Sequence, residues 1–228
     1  MWLDLDIRRH LRAAGQSFHL QVALRCQQPR VVVAGPSGAG KSLTLKAVAG
    51  LLRPDAGHIR LHGRSLYDAA SAQDLPARER RLGYVFQDYA LFPHLTVRQN
   101  VAFGVQRGWF NPRPRARHDA VEHWLTLLRI AHVGNLLPGQ LSGGQRQRTA
   151  LARALVTNPE ALLLDEPFAA LDHDLRQHLR HELHGVLERT GIPLLMISHD
   201  PEDLECFGQQ VIRLGEGRVQ DDPAGVLR

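Results

Sequence analysis

Residues 31–42 read Val31-Val32-Val33-Ala34-Gly35-Pro36-Ser37-Gly38-Ala39-Gly40-Lys41-Ser42. The first four form an unbroken apolar run, as expected of a strand covered on both faces. The next eight fit the pattern G-x-x-x-x-G-K-[ST] at every position. Glycines let successive backbone N–H groups turn inward on an anion. A helix follows from Lys41, opened by Ser42 and Leu43, and points its positive end at the same place. The stretch is therefore read as buried strand, phosphate-binding loop and helix. Gly35, Pro36, Ser37, Gly38, Ala39, Gly40, Lys41, Ser42 and Leu43 are taken as nucleotide-binding, with Lys41 on the outer phosphates and the Ser42 hydroxyl as a Mg²⁺ ligand.

Working outward, the helix is predicted to run to about Leu52, with Leu45, Val48 and Leu52 inside and Pro54 and Gly57 after it. Upstream, Leu3, Leu5 and Ile7 alternate with charged residues, as Phe18, Leu20, Val22 and Leu24 do with polar ones. Both read as half-buried strands joined by a turn at 13–16. Ile59 and Leu61 mark another short strand. From Asp88 to Asn158 the alternation disappears. Val121, Trp124, Leu125 and Leu128 recur at helical spacing, and Gln145 to Leu155 is a second helical run. Strand patterns resume at Ala161–Leu164 and Leu194–Ile197, and Val211 to Gln220 reads as a closing hairpin. The fold class is α/β: a P-loop NTPase core, with a mixed sheet and an antiparallel β subdomain, and an inserted α-helical subdomain. In this reading residues 1–87 and 159–228 form the nucleotide-binding core of a single domain, and 88–158 the helical insert.

The chain has 228 residues, 43% hydrophobic, enough for one sizeable core. Its net charge of +5 is scattered, which favours a solvated basic surface over a nucleic-acid partner. The basic stretch Arg107 to His118, with Pro112 and Pro114 inside it, is read as a surface insertion. Lys41 and Lys46 are the only lysines, so a chain that otherwise uses arginine keeps a compact ammonium where the phosphate loop needs one. Cys26 and Cys206 match no metal spacing and are read as thiols in a reducing compartment. Met1 to Arg8 lacks a signal peptide's apolar run, and no stretch approaches the roughly 20 apolar residues of a membrane span. The expectation is a soluble chain that reaches a membrane through another protein.

Three further groups carry chemistry. Asp165 closes the apolar strand Leu162–Leu164 and can support the metal; Glu166 follows, placed to orient a water as catalytic base. Leu141-Ser142-Gly143-Gly144-Gln145 precedes a helix and can cradle a second anion, although a helix cap would use the same residues. One nucleotide does not need two cradles from one chain, which points to two molecules facing each other around two nucleotides. Gln87 lies where the core meets the insert, able to sense the metal or the attacking water. His199 follows a buried strand at the sheet's phosphate edge, and Asp172 is a third loop acid.

Together these residues resemble the ATP-binding subunits of ABC transporters over essentially the whole chain. The motifs occur in order: Walker A (Gly35 to Ser42), the Q-loop Gln87, the signature Leu141 to Gln145, Walker B (Leu162 to Asp165) with Glu166, the D-loop Asp172 and the switch His199. The resemblance implies ATP and Mg²⁺ as cofactors, with the metal near Ser42, Gln87 and Asp165 and catalysis by Lys41, Glu166 and His199. It implies a head-to-tail dimer in which Ser142, Gly143 and Gly144 of one copy face the nucleotide held by Lys41 of the other. Membrane permease subunits, a solute-binding protein and a place on the cytoplasmic face of the plasma membrane follow from it. The run Leu82 to Asp88 with Leu91-Phe92-Pro93-His94 resembles importer ATPases for molybdate, sulfate and related solutes, which makes molybdate or a similar oxyanion the expected cargo. The shortness of the chain resembles thiamine-type importers. Phe18 and Trp2 are the candidate adenine-stacking aromatics, Phe18 being preferred; a core role is its alternative. The rival reading is a soluble ABC ATPase acting on nucleic acid or ribosomes.

Overall fold

A computed structural model describes residues 1–13, 16–105, 112, 118–169 and 171–220. The centre of the turn at 13–16 and most of the basic stretch 107–118 therefore lie outside the described residues. The chain divides into two compact units, Met1–Arg80 with the segment from Pro193 onward, and Arg81–Ile192.

The first unit is a sheet with α1 and α6 among its helices. Strands β1 (Leu3–Ala13) and β2 (Gln16–Cys26) pair antiparallel from Leu3↔Cys26 to Ala13↔Gln16. Their alternation does what the sequence demands: Leu3, Leu5, Ile7, Leu20, Val22 and Leu24 are all buried. Strands β4 (Ala56–Leu61), β5 (Arg64–Asp68) and β6 (Gln73–Asp74) extend this antiparallel side beyond β1. On the other side β3 (Arg30–Ala34) lies between β9 (Leu194–Ile197) and β10 (Gln210–Gly215), all three parallel. Strand β11 (Arg218–Gln220) returns antiparallel on β10 through Glu216 and Gly217. Both turn residues have positive φ, 48° and 78°, the conformation of the tightest hairpin turns. Within the unit the order is β6-β5-β4-β1-β2-β11-β10-β3-β9.

Helix α1 (Lys41–Ala49) ends earlier than the apolar spacing predicts. Gly50 takes a left-handed φ of 77° and its N–H returns to Ala47 and Lys46. The fully buried Arg80 completes the cap, donating to the carbonyls of Ala47 (2.8 Å), Val48 (2.9 Å) and Leu75 (2.8 Å) and to Asp74 Oδ1 (2.9 Å). A Cβ on Gly50 would stand 2.6 Å from Arg80 Nε, so the glycine is required both by its φ and by this guanidinium. Helix α6 (Pro201–Phe207) is capped by Asp200, whose side chain accepts from Glu202 N–H.

In the second unit β7 (Leu82–Val85) and β8 (Ala161–Asp165) pair in parallel from Leu82↔Ala161 to Val85↔Leu164. All of β8 is buried. Helices α2 (Val97–Ala102), α3 (Asp119–Leu127) and α4 (Gly143–Leu155) intervene between the two strands, and α5 (His173–Thr190) follows β8. Val121, Leu125 and Leu128 are buried, as their spacing predicts, while Trp124 on the same face is half-buried. Among the described residues 88–158 hold no strand. No described helix is long and apolar enough to cross a membrane.

Candidate functional site

Parallel pairing places the first unit's candidates at one edge. Because β3, β9 and β10 run the same way, with Val33 opposite Ile197 and Ala34 opposite Arg213, the residues following each strand share an edge. Those residues are the Gly35–Gly40 loop, Ser198-His199 and the Glu216-Gly217 turn. His199 is exposed there, set between two anchored neighbours. The Ser198 hydroxyl donates to the buried Asp203 (2.5 Å) and accepts from Asp200 N–H (3.1 Å).

The phosphate loop is built by backbone conformation. Gly35, Gly38 and Gly40 have φ of 146°, 78° and 95°, values that side chains rarely tolerate. At Gly35 a Cβ would also stand 2.1 Å from the Leu214 carbonyl oxygen, whereas at Gly38 it would meet nothing within 4 Å. Gly40 is the N-cap of α1; it supplies no side-chain cap, and no acid occupies the first turn. The helix's positive end is thus left for an anion from elsewhere. Lys41 Nζ, buried in the loop, donates to the carbonyls of Gly35 (2.8 Å) and Pro36 (2.9 Å), which holds its charge on the rim. Ser42 lies one residue further on, in the first turn of α1.

A cleft of about 770 Å³ adjoins this loop, lined by Phe18, Pro36 to Ala39 and the β10–β11 turn. Phe18 is half-buried, and Cβ atoms built at Gly40 or Gly217 would each stand 3.2 Å from its Cζ. The ring therefore bridges loop and turn at the cleft wall, where a planar base could contact it. Trp2 is excluded from that role: it is 5% exposed and its indole N–H donates to the Gln28 carbonyl (2.8 Å).

The second unit gathers its own set. With Val85 opposite Leu164, the residues after β7 and β8 share an edge, bringing Gln87 to the level of Asp165 and Glu166. Asp165 is buried and accepts from the Tyr84 hydroxyl (3.3 Å). That contact and burial push the Tyr84 phenol well above its ordinary range, burial being the larger cause. Glu166 has φ 47°, a left-handed conformation costing a non-glycine residue about 1–3 kcal/mol. Such a residue at the end of a buried strand marks a place where side-chain aim outweighs backbone comfort.

The Leu141–Gln145 segment opens α4. Leu141 is buried and Ser142 exposed. Ser142 Oγ accepts from Gln145 N–H (3.3 Å) while Gln145 Oε1 accepts from Ser142 N–H (3.0 Å), a reciprocal capping box. The cap reading thus holds, and it leaves the anion reading open: an accepting hydroxyl keeps its own proton to donate. Gly143 and Gly144 also pack closely, since Cβ atoms there would stand 3.3 Å from Leu171 and 3.0 Å from Leu175, whose side chains would have to shift by a few tenths of an ångström. Asp172 caps α5, accepting from Leu175 N–H (3.0 Å).

No motif in the sequence marks Tyr84 as a partner of Asp165 or the β10–β11 turn as cleft lining. The alternation of β7, with Gly83 and Val85 buried, was the available signal for Tyr84. For the turn, the Glu216-Gly217 pair showed its shape but nothing of its neighbours.

Comparison with known proteins places this geometry. The family model described as ABC transporter matches residues 20–169. The sulfate/thiosulfate import ATP-binding protein CysA of Synechocystis sp. is 42% identical over 191 residues, which are 83% of this chain and 51% of that protein. Its counterpart in Gloeobacter violaceus is 46% identical over 191 residues, 83% of this chain and 53% of that one. The chain thus spans about half the length of these curated relatives. Among solved structures, the ATP-binding cassette MJ0796, a dimer in a post-hydrolysis state bound to ADP and Pi, superposes with a TM-score of 0.79 at 29% identity, covering 96% of this chain and 97% of that one. By sequence match and by fold, the chain belongs to the ABC transporter family and is built as one of its ATP-binding cassettes.

Proposed function

We propose that the chain binds ATP with Mg²⁺, hydrolyses it, and in doing so energises an importer for a tetrahedral oxyanion. The observation that carries this reading is the uncapped, acid-free N-terminus of α1, with Lys41 held on the rim of the glycine loop beside an open cleft. A triphosphate supplies the anion that this end lacks, and the half-buried Phe18 offers its base a surface. The donor set suits Mg²⁺. The described residues hold no cluster of three or more His, Cys, Asp or Glu able to bind a metal. Magnesium ordinarily takes one or two protein oxygens and completes its shell with phosphate and water. The family resemblance assigns the Ser42 hydroxyl, the Asp165 carboxylate and Gln87 as the groups that would hold it.

When bound, the metal supplies charge neutralisation at the phosphates. Lys41 adds a second positive charge and the loop N–H groups orient the chain of phosphates. Glu166 takes the proton of the attacking water, aimed by its left-handed backbone. His199 is assigned a polar contact at the edge it shares with the Gly35–Gly40 loop. Two copies are proposed to work head to tail, Ser142, Gly143 and Gly144 of each completing the other's site, and Asp172 standing at the shared boundary. The dimeric state of MJ0796 supports a pair of copies as the working unit.

The sulfate/thiosulfate relatives favour sulfate-like cargo over molybdate, which has the same shape and charge. A membrane permease and a solute-binding protein are the proposed partners, with the chain at the cytoplasmic face of the plasma membrane. ATPase activity of the chain reconstituted with its permease and binding protein tests the reading. Stimulation by sulfate, thiosulfate or molybdate supports it; stimulation by thiamine alone would replace the cargo, and Mg²⁺-independence would overturn the mechanism.

A further inference from the structure

The loop after Gln87 is held in an unfavourable conformation. Tyr89 and Ala90 are consecutive non-glycine residues with left-handed φ, 64° and 42°. Each carries a penalty that persists only when surroundings enforce it. Tyr89 is 6% exposed, and its hydroxyl is buried without a hydrogen-bond partner among the described residues, a second cost in the same loop.

One side chain offsets the backbone cost. Arg153, in the last turn of α4, donates from Nη2 to the Tyr89 carbonyl and from Nη1 to the Ala90 carbonyl, each at 2.7 Å. The two acceptors belong to the two left-handed residues. Its guanidinium also lies 5.6 Å from the centroid of Phe92, within cation–π range. Asn100 fixes the far side, accepting from Phe92 N–H and donating to the carbonyls of Phe92, Leu95 and Thr96. The planar fork of arginine meets two carbonyls at once, which a lysine ammonium cannot reproduce.

We propose that Arg153 is a positioning residue, a latch that keeps the Tyr89–Ala90 turn in its left-handed form and so ties Gln87's loop to the helix whose N-terminus carries Ser142. Release of the latch relaxes two strained residues and hydrates the Tyr89 hydroxyl. Gln87 and the Ser142 turn are therefore set by one conformational state of this unit. The consequence for turnover rests on the ATPase reading above; the state of the loop does not.

Amide hydrogen exchange and ATPase kinetics on Arg153→Met, Ala90→Gly and the double variant test the latch. In Arg153→Met the Tyr89 and Ala90 amides should exchange about tenfold faster or more, the loss of two charge-assisted bonds, with α4 protection unchanged. The kcat should fall about tenfold with KM nearly constant, as for a lost positioning contact. Adding Ala90→Gly should restore much of both, because glycine adopts this φ without a clamp. In the wild-type background Ala90→Gly alone should slow exchange in the loop, a reading that survives if Arg153→Met does not fold. Unchanged exchange in Arg153→Met, or no recovery with glycine, overturns the proposal. Altered exchange in a protein that never turns over ATP would uphold the latch and sink the ATPase reading instead.

Discussion

Replacing Gly38 by alanine separates the two demands on the phosphate loop, its own fold and its room for a ligand. The residue has φ 78°, and a Cβ built on it meets no protein atom within 4 Å. The folded-state cost is therefore conformational alone, about 1–2 kcal/mol for an L-residue in the left-handed region. At about 2–4 °C per kcal/mol for a chain of this size, the melting temperature should fall by roughly 2–8 °C. The added methyl stands on the wall of the 770 Å³ cleft, where the phosphates are proposed to lie. Saturating Mg-ATP at about 100 times its Kd should stabilise the wild type by about 2.7 kcal/mol; the variant should lose most of that shift. Thermal melts with and without Mg-ATP decide the matter. A variant that melts more than about 15 °C below wild type without nucleotide, or that keeps the full ATP shift, would refute the reasoning. Gly35→Ala is the contrast: its Cβ would lie 2.1 Å from a backbone oxygen of Leu214, so the fold itself should fail.

Arg80→Met removes a buried charge that serves three carbonyls and Asp74; denaturant unfolding should show a loss of about 3–5 kcal/mol, and a loss under about 1 kcal/mol would show that the α1 cap is dispensable. Glu166→Gln should bind ATP normally and slow turnover by about 10²-fold or more, read from steady-state hydrolysis beside a nucleotide-binding titration. The buried Cys26 thiol, pushed up to about 12 by desolvation, should ignore a thiol reagent at neutral and mildly alkaline pH until the chain unfolds; prompt labelling of Cys26 in the native protein would contradict its place in the core.

What the residues disclosed in advance was local. The run 31–34, the loop glycines and the alternation of β1 and β2 each follow from the conformation of a few neighbours, and all appear where expected. The end of α1 was misjudged because apolar spacing continues to Leu52 while the stop depends on Arg80, thirty residues downstream. Ser142 could be seen as a cap or an anion ligand, and only the reciprocal bonds with Gln145 show that the cap is made. Tyr84 beside Asp165 depends on the register of two strands separated by the whole helical segment. The left-handed backbone at Glu166, Tyr89 and Ala90 left no trace in composition, because none of the three is a glycine.

The central claim is that each nucleotide is shared by Lys41 of one copy and the Ser142 turn of another. Sedimentation of Glu166→Gln with Mg-ATP, alone and combined with Ser142→Asp, tests it most directly. Aspartate keeps the helix cap but sets a negative charge against the phosphates, so the double variant remains folded. The single variant should sediment at twice the monomer mass and the double variant as a monomer that still binds ATP. A double variant that dimerises as fully as the single one would contradict the shared site.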